Sequence, residues 1–223
     1  MYWSTGHSTY PTGLSYSWGQ EEDGTEYIQL EPLEFKFQVD PKYRKVPENE
    51  YSVDTEKTGS TAGAVENAKK ILDDASGKDD YHKLVSYKDA ICDLVDYNDA
   101  TASGESEDDM GPWALVYVFD GNPDTNVVCE GYAEAFQYLC DQTDFENQEI
   151  SAYSVTGDLI PPGEETGRKH KWNIVHMTDG KNYMTDITNS DDDSIGEYNE
   201  LFLTGMKGSV GEGYQITIDG MTL

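Results

Sequence analysis

Apolar side chains recur at helical spacing in three stretches of the chain. The first runs from Ala64 to Ala75 and stops at Gly77. The second runs from about residue 79 to residue 97. The third opens at Cys129, and its apolar positions are Val128, Tyr132, Ala135, Phe136 and Leu139. The pattern predicts three amphipathic helices.

Alternation of apolar and polar residues predicts strands elsewhere. Residues 33–39 alternate strictly, and residues 149–155 also fit a strand. Asp179-Gly180 is typical of a hairpin turn, which here joins a strand that begins at His170 to one over residues 181–188. Residues 113–119 are apolar, but the run is too short for its periodicity to separate helix from strand. The pattern thus predicts both helices and strands.

Two further segments lack this periodicity. The first 26 or so residues are rich in Ser, Gly, Tyr and Trp, which predicts a linker or the remnant of an upstream unit. Residues 157–169 contain two prolines and three glycines, which predicts a loop able to act as a lid. We therefore expect an N-terminal extension over residues 1–60, with a strand near 33–39 and a linker, followed by one domain over residues 61–223.

The charge is strongly negative, with 15 Lys and Arg against 44 Asp and Glu and a net charge of −29 at pH 7. Such a surface repels nucleic acid and anionic lipid, so we expect neither as a partner, whereas basic substrates are tolerated. No apolar run is long enough for a membrane helix, so we expect no membrane insertion. The first six residues lack the basic and apolar regions of a signal peptide. Either the protein stays inside the cell or a leader has been removed.

The three cysteines do not fit a disulfide framework. Cys129 and Cys140 lie about 16 Å apart along one predicted helix, beyond the ~7 Å that a disulfide allows between Cα atoms. Cys92 and Cys140 fall among apolar residues, where a thiol acts as a small buried hydrophobe.

Cys129 differs because it opens its predicted helix. Free backbone N–H groups and the positive end of the helix dipole stabilise a thiolate there, and the thiolate is the nucleophilic form of cysteine. Asn126 or Thr125 is predicted to cap this helix. Gly131 is costly inside a helix, which suggests close approach of a substrate or a neighbouring backbone.

Three blocks follow one another in the sequence. Cys-Glu-Gly-Tyr-Ala opens at Cys129, His-Lys-Trp-Asn-Ile-Val opens at His170, and Asp-Gly-Lys-Asn-Tyr-Met-Thr-Asp-Ile-Thr contains Asp186. In this order they resemble the signature blocks of the transglutaminase-like superfamily, over roughly residues 60–205. The resemblance implies an α+β fold with a papain-like core, in which a helical part carrying the nucleophile packs on an antiparallel sheet. It implies Cys129 as nucleophile, His170 as general base and Asp186 as the group that orients the imidazole.

The resemblance also implies a reaction. Cys129 attacks a peptide or glutamine-type amide and forms a thioester, which water resolves in a peptidase or amidase and an amine resolves in a transglutaminase. Hydrolysis is the expected outcome, on a protein or peptide substrate, without a cofactor. We expect a monomer that is secreted or at the cell surface, as bacterial members of the superfamily often are. The alternative is a surface binding or assembly module that keeps the fold without turnover.

Further residues have expected roles at such a site. The family pattern makes the backbone N–H of Cys129 one donor to an oxyanion, and Trp113 is our candidate for a second donor. Trp172 and Tyr132 either line a substrate groove or pack in the core. His7, His82 and His176 have no partner pattern, so we interpret them as structural or solvated.

No metal site is predicted. The segment from Asp186 to Glu197 imitates a calcium loop, but Asp191 stands where that loop requires glycine.

The hairpin sets a geometric requirement for the proposed site. With a two-residue turn at Asp179-Gly180, Asn173 pairs with Asp186, and His170 then points to the opposite face. A three-residue loop with a glycine bulge, or a bulge further along, shifts the pairing by one residue. We predict that this offset is present.

Overall fold

The structure is a computed structural model that describes residues 3–9, 16–30, 36–39, 43–46, 51–52, 54, 60–104, 113–160, 163–191, 201–205 and 215–218. Contacts along the chain define two compact units, Met1–Thr58 and Gly59–Leu223. None of the helices in the described part is long and apolar enough to cross a bilayer.

The N-terminal unit contains strands within the first 26 or so residues, where the sequence predicts a linker or the remnant of an upstream unit. Its antiparallel pairs are β1 (Trp3–Thr9) with β4 (Lys36–Val39) and β2 (Tyr16–Gln20) with β3 (Glu26–Leu30). Gly24, with φ +89°, closes the turn between β2 and β3. The ring of Tyr27 lies against Gly19, where a Cβ atom would be only 2.3 Å from it. Glycine is unfavourable inside a strand, but Gly19 provides the space that the ring of Tyr27 occupies. Of the predicted strand over residues 33–39, only the part from Lys36 is described.

The second unit begins with helices, and the predicted helices are present with different ends. The predicted helices are α1 (Ser60–Ala75), α2 (Asp80–Cys92) and α5 (Cys129–Asp141). Two short helices, α3 (Asp99–Ala102) and α4 (Ala114–Val118), lie between α2 and α5 in the sequence. Asp79 caps α2 by accepting the backbone N–H of His82 at 3.0 Å. The helix ends at Cys92 rather than at residue 97, because the chain beyond it extends to pair with the segment that precedes α5.

The rest of this unit is a four-stranded antiparallel sheet, which confirms the α+β class. Its strands are β5 (Ser151–Ile160), β6 (Arg168–His176), β7 (Asn182–Thr185) and β8 (Gln215–Ile218), in the order β7-β6-β5-β8.

The prediction of one loop over residues 157–169 is wrong, because β5 and β6 extend into it from both sides. Gly157 pairs with both His170 and Ile218. A Cβ atom on Gly157 would lie 1.7 Å from the carbonyl oxygen of Thr217. The glycine therefore permits the close approach of β8 and does not mark a turn.

The two faces of β6 contribute to different cores. Val175 faces the larger core, which α5 and α2 complete with Phe136, Leu139, Leu84 and Ile91. Trp172, on the other face, packs in a smaller core with Met184, Leu201 and Ile218. The candidate site residues belong to α5, to β6 and to the chain just after β7.

Candidate active site

Cys129 is the first residue of α5, and its side chain is partly exposed. The cap position is Val128, which is extended (φ −95°, ψ 178°) and has no side-chain acceptor to offer. The prediction that Asn126 or Thr125 caps the helix is therefore wrong. Thr125 instead donates its hydroxyl hydrogen to Asp120 at 3.1 Å. Within the described residues no side chain caps this helix, so its first N–H groups keep their capacity to stabilise an anion.

The chain before Cys129 is fixed by a short parallel bridge. The backbone N–H of Val127 donates to the carbonyl of Asp96 at 3.2 Å, and the N–H of Asn98 donates to the carbonyl of Val127 at 3.0 Å. Tyr97 lies between them with 37% of its surface exposed. Burial raises the pKa of Tyr97 to about 12, and the negative charge of the Cys129 sulfur adds to the effect. Tyr97 is thus a residue beside Cys129 that sequence reasoning missed, since it stood at the end of a predicted helix.

Gly131 allows α5 to pack closely on this same segment. A Cβ atom at Gly131 would lie 2.7 Å from Cβ of Val127 and 2.8 Å from its Cγ2. Real Cβ atoms do not approach so closely, so only glycine fits without displacement of the chain that leads to Cys129. The close neighbour is therefore the side chain of Val127, neither a substrate nor a backbone segment.

The hairpin between β6 and β7 has the predicted one-residue offset. Asn173 pairs with Thr185 instead of Asp186. The cause is a three-residue turn that ends at Gly180, which adopts φ +74°. Because side chains alternate along strands, the offset brings His170 and Asp186 to the same side of the hairpin.

His170 and Asp186 form a buried ion pair. Nε2 of His170 lies 2.7 Å from Oδ2 of Asp186, and the two side chains are 8% and 0% exposed. Burial opposes the charged form of His170. The negative charge and hydrogen bond of Asp186, together with a hydrogen bond to Cys129, outweigh burial and raise the pKa of His170 to about 10. The buried carboxylate therefore favours the protonated imidazole.

The imidazole of His170 also contacts the Cys129 side chain, with which it shares a hydrogen bond. Asp186 occupies Nε2, which leaves Nδ1 as the ring nitrogen for the sulfur. Cys129, His170 and Asp186 thus form one hydrogen-bonded chain. An imidazolium next to a cysteine stabilises its thiolate.

Polar contacts join α5 to β6 next to these residues. Nζ of Lys171 lies 2.9 Å from Glu130 and 2.8 Å from Glu134. The side-chain amide of Asn173 donates to the carbonyl of Ala133 at 2.9 Å and is buried. Lys171 follows His170 on β6, and Glu130 follows Cys129 on α5. These contacts therefore hold β6 and α5 together next to the imidazole and the thiol.

The three residues expected to contact substrate lie mainly in packing positions. Tyr132 is 0% exposed, and its hydroxyl lies 3.1 Å from the Val95 carbonyl oxygen. Trp172 is also 0% exposed and stacks on His170, with ring centroids 5.8 Å apart. Neither side chain offers surface to a substrate, so packing accounts for both. Trp113 is partly buried against the larger core, and its role as an oxyanion donor stays a prediction.

All three cysteines are free, as their spacing predicts. Burial raises the pKa of the Cys92 thiol to about 12, and burial also raises the pKa of Cys140. Both side chains belong to the larger core. Among the three, Cys129 is the one hydrogen-bonded to an imidazole.

Two other histidines, His82 and His176, have hydrogen-bond partners away from this cluster. His82 pairs with Asp79 at 2.7 Å and His176 with Asn182 at 2.8 Å, both at exposed positions. The side chain of His7 lies outside the described residues. Within the described ranges, no group of three or more His, Cys, Asp or Glu side chains is arranged to hold a metal ion. The second half of the segment that imitates a calcium loop, residues 192–197, lies outside the described residues.

Comparison with known proteins gives no family for this chain. No family model matches the sequence, and no curated protein matches it. The transglutaminase-like resemblance therefore remains an expectation, and the functional proposal depends on the geometry of Cys129, His170 and Asp186.

Proposed function

We propose that this chain is a cysteine-dependent acyl-transfer enzyme that hydrolyses peptide or glutamine-type amides. The observation that carries the proposal is the hydrogen-bonded chain from Cys129 through His170 to Asp186. In it, Cys129 is the nucleophile, His170 is the general base and acid, and Asp186 orients the imidazole. The superfamily resemblance of the same three residues is a second, independent support.

The reaction that we propose has two steps. The thiolate of Cys129 attacks the amide carbonyl carbon, and the carbon–nitrogen bond breaks as the imidazolium of His170 gives its proton to the leaving amine. This leaves a thioester on Cys129 and a neutral imidazole. His170 then takes a proton from water as the water oxygen attacks the thioester, and the carbon–sulfur bond breaks. This releases the carboxylic acid and restores the Cys129 thiolate and the His170 imidazolium. An amine in place of water yields a new amide, which is transamidation.

Two local features support this chemistry. The high pKa of His170 favours an imidazolium that stabilises the thiolate before attack. The uncapped first turn of α5 leaves the backbone N–H of Cys129 as a donor to the developing oxyanion. We keep Trp113 as the candidate for a second donor.

The finer fold also belongs to the proposal. A helix that carries Cys129 packs on an antiparallel sheet, with His170 on β6 and Asp186 after β7. This is the arrangement expected of a papain-like core. By resemblance to bacterial members of the superfamily, we further propose a secreted or cell-surface monomer that acts on proteins or peptides.

A peptide library read by mass spectrometry tests the function. We expect the wild-type protein to cleave or deamidate a subset of peptides, and Cys129→Ser to abolish this. Cys92→Ser is the matched control, because Cys92 lies in the core with a raised thiol pKa, and it should retain the activity. An added lysine-like amine separates hydrolysis from transamidation, since transamidation increases the peptide mass by the mass of the amine minus the mass of ammonia. A reactive thiol with no processed peptide would instead favour the binding or assembly module.

A further inference from the structure

Asn189 contacts both ends of the buried ion pair. It lies in a 3-10 helix, Thr188–Ser190, directly after β7. Its side-chain amide donates to Oδ2 of Asp186 at 2.7 Å, and its backbone N–H donates to Oδ1 of the same carboxylate at 3.2 Å. The amide nitrogen also lies 3.1 Å from Nε2 of His170. Asn189 therefore supplies two of the three donors that face the carboxylate.

The chemistry of the three groups fixes their hydrogen bonds. Nε2 of His170 donates to Asp186, so it is no acceptor, and its 3.1 Å contact with the Asn189 amide is a contact between two donors. Both donors thus converge on Oδ2 of Asp186. The opposite orientation of the amide would place its oxygen 2.7 Å from a carboxylate oxygen, which is repulsive.

The carboxylate needs such a partner to keep one orientation. Rotation about the last torsion of an aspartate is broad and roughly two-fold, so packing alone selects it poorly. The backbone of Asp186 is fixed separately, because its carbonyl accepts the Ser190 hydroxyl hydrogen at 2.7 Å and its N–H donates to Leu201 at 2.9 Å. These backbone contacts do not fix the rotation of the Asp186 carboxylate about its last torsion, and Asn189 contacts both carboxylate oxygens.

We propose that Asn189 is a positioning residue, whose amide holds the Asp186 carboxylate in the orientation that keeps Nε2 of His170 hydrogen-bonded. This inference rests on the proposed function, because it assigns Asn189 to the same site. It acts through Asp186 and His170 and touches no reacting atom. Removal of the amide should let the carboxylate rotate, weaken the ion pair, and so disfavour the imidazolium that stabilises the Cys129 thiolate.

The pH dependence of Cys129 alkylation tests this role without a known substrate. We compare the wild type, Asn189→Ala and the matched control Asn182→Ala, whose amide group contacts His176 at an exposed position. In Asn189→Ala, the pH midpoint of the alkylation rate should move upward by about one pH unit. At a given pH below the midpoint, the reaction should then be about tenfold slower than in the wild type. Asn182→Ala should keep the wild-type profile. An unchanged profile in Asn189→Ala would overturn the proposal, since a merely structural loss does not move a pH midpoint.

Two further measurements keep the test decisive. If far-UV circular dichroism shows that Asn189→Ala is unfolded, Asn189→Ser replaces it, because serine suits the short turn but is too short to keep the amide contact. The same shift is expected in that variant. If the wild-type rate itself does not depend on His170, the proposed function fails. If it does depend on His170 and the Asn189 variants match the wild type, the positioning role alone fails.

Discussion

Nε2 of His170 lies 2.7 Å from Oδ2 of Asp186, and both side chains are almost completely buried. A buried carboxylate this close favours the imidazolium over the neutral ring. The pair is possible because the hairpin turn contains three residues, which shifts the strand register by one. The charged form of His170 is therefore favoured by a carboxylate that lies sixteen residues further along the chain.

Asp186→Asn should lower the pKa of His170 and slow alkylation of Cys129. Asparagine keeps the shape of the side chain but removes the negative charge that favours the imidazolium. We expect the His170 titration to move to lower pH by NMR, and turnover to fall on the order of 100-fold.

The matched control for this variant is Asp179→Asn, at an exposed turn of the same hairpin, where the carboxylate accepts the Tyr183 hydroxyl hydrogen at 2.6 Å. It should leave the His170 titration as in the wild type. An unshifted titration in Asp186→Asn would show that the ion pair does not set the charge of His170.

The His170 pair should also make stability depend on pH. The pKa of His170 is raised from 6.5 in its ordinary state to about 10 in the folded protein. Its contribution is therefore fully present below about pH 6.5 and is lost as the pH rises through about 10. The difference in unfolding free energy between wild type and His170→Gln should thus shrink by up to about 4 kcal/mol from pH 6.5 to pH 10, measured by urea unfolding. A difference that is constant across this range would contradict the raised pKa.

Gly131→Ala should destabilise the protein by about 1–3 kcal/mol, because the new methyl group overlaps the Val127 side chain. Gly63→Ala is the matched control on α1, where nothing lies within 4 Å of the new Cβ atom. It should stabilise the protein by up to about 1 kcal/mol through the higher helix propensity of alanine. Thermal unfolding of both variants measures the difference. Equal effects of the two substitutions would show that α5 does not pack on Val127 as described.

The sequence predicted those elements that are indicated by the spacing of apolar residues within the element. The helix that opens at Cys129 follows from its apolar spacing. The one-residue offset of the β6–β7 hairpin was predicted from the proposed site, since His170 and Asp186 lie on the same face only if the pairing shifts by one residue.

The contacts that the sequence did not reveal form only when the chain folds. Gly157 reads as a loop residue until β8, some sixty residues later, is seen to pack against it. Tyr97 lies beside Cys129 because a parallel β-bridge pairs it with Val127. Asn189 needed the three-dimensional turn after β7 before its amide could be placed on Asp186. The first two contacts join segments far apart in the sequence, whereas Asn189 lies only three residues from Asp186 and its contact depends on the 3-10 turn between them.

The most direct test of the account is the rate at which iodoacetamide alkylates Cys129 near neutral pH, with the modified cysteine identified by mass spectrometry. We predict that Cys129 reacts faster than a free thiol of ordinary pKa, and that His170→Ala slows it at least tenfold, while Cys92 and Cys140 stay unmodified in the folded protein. Alkylation no faster than that of an ordinary thiol, with a rate that His170→Ala leaves unchanged, would contradict the assignment of Cys129 as an activated nucleophile.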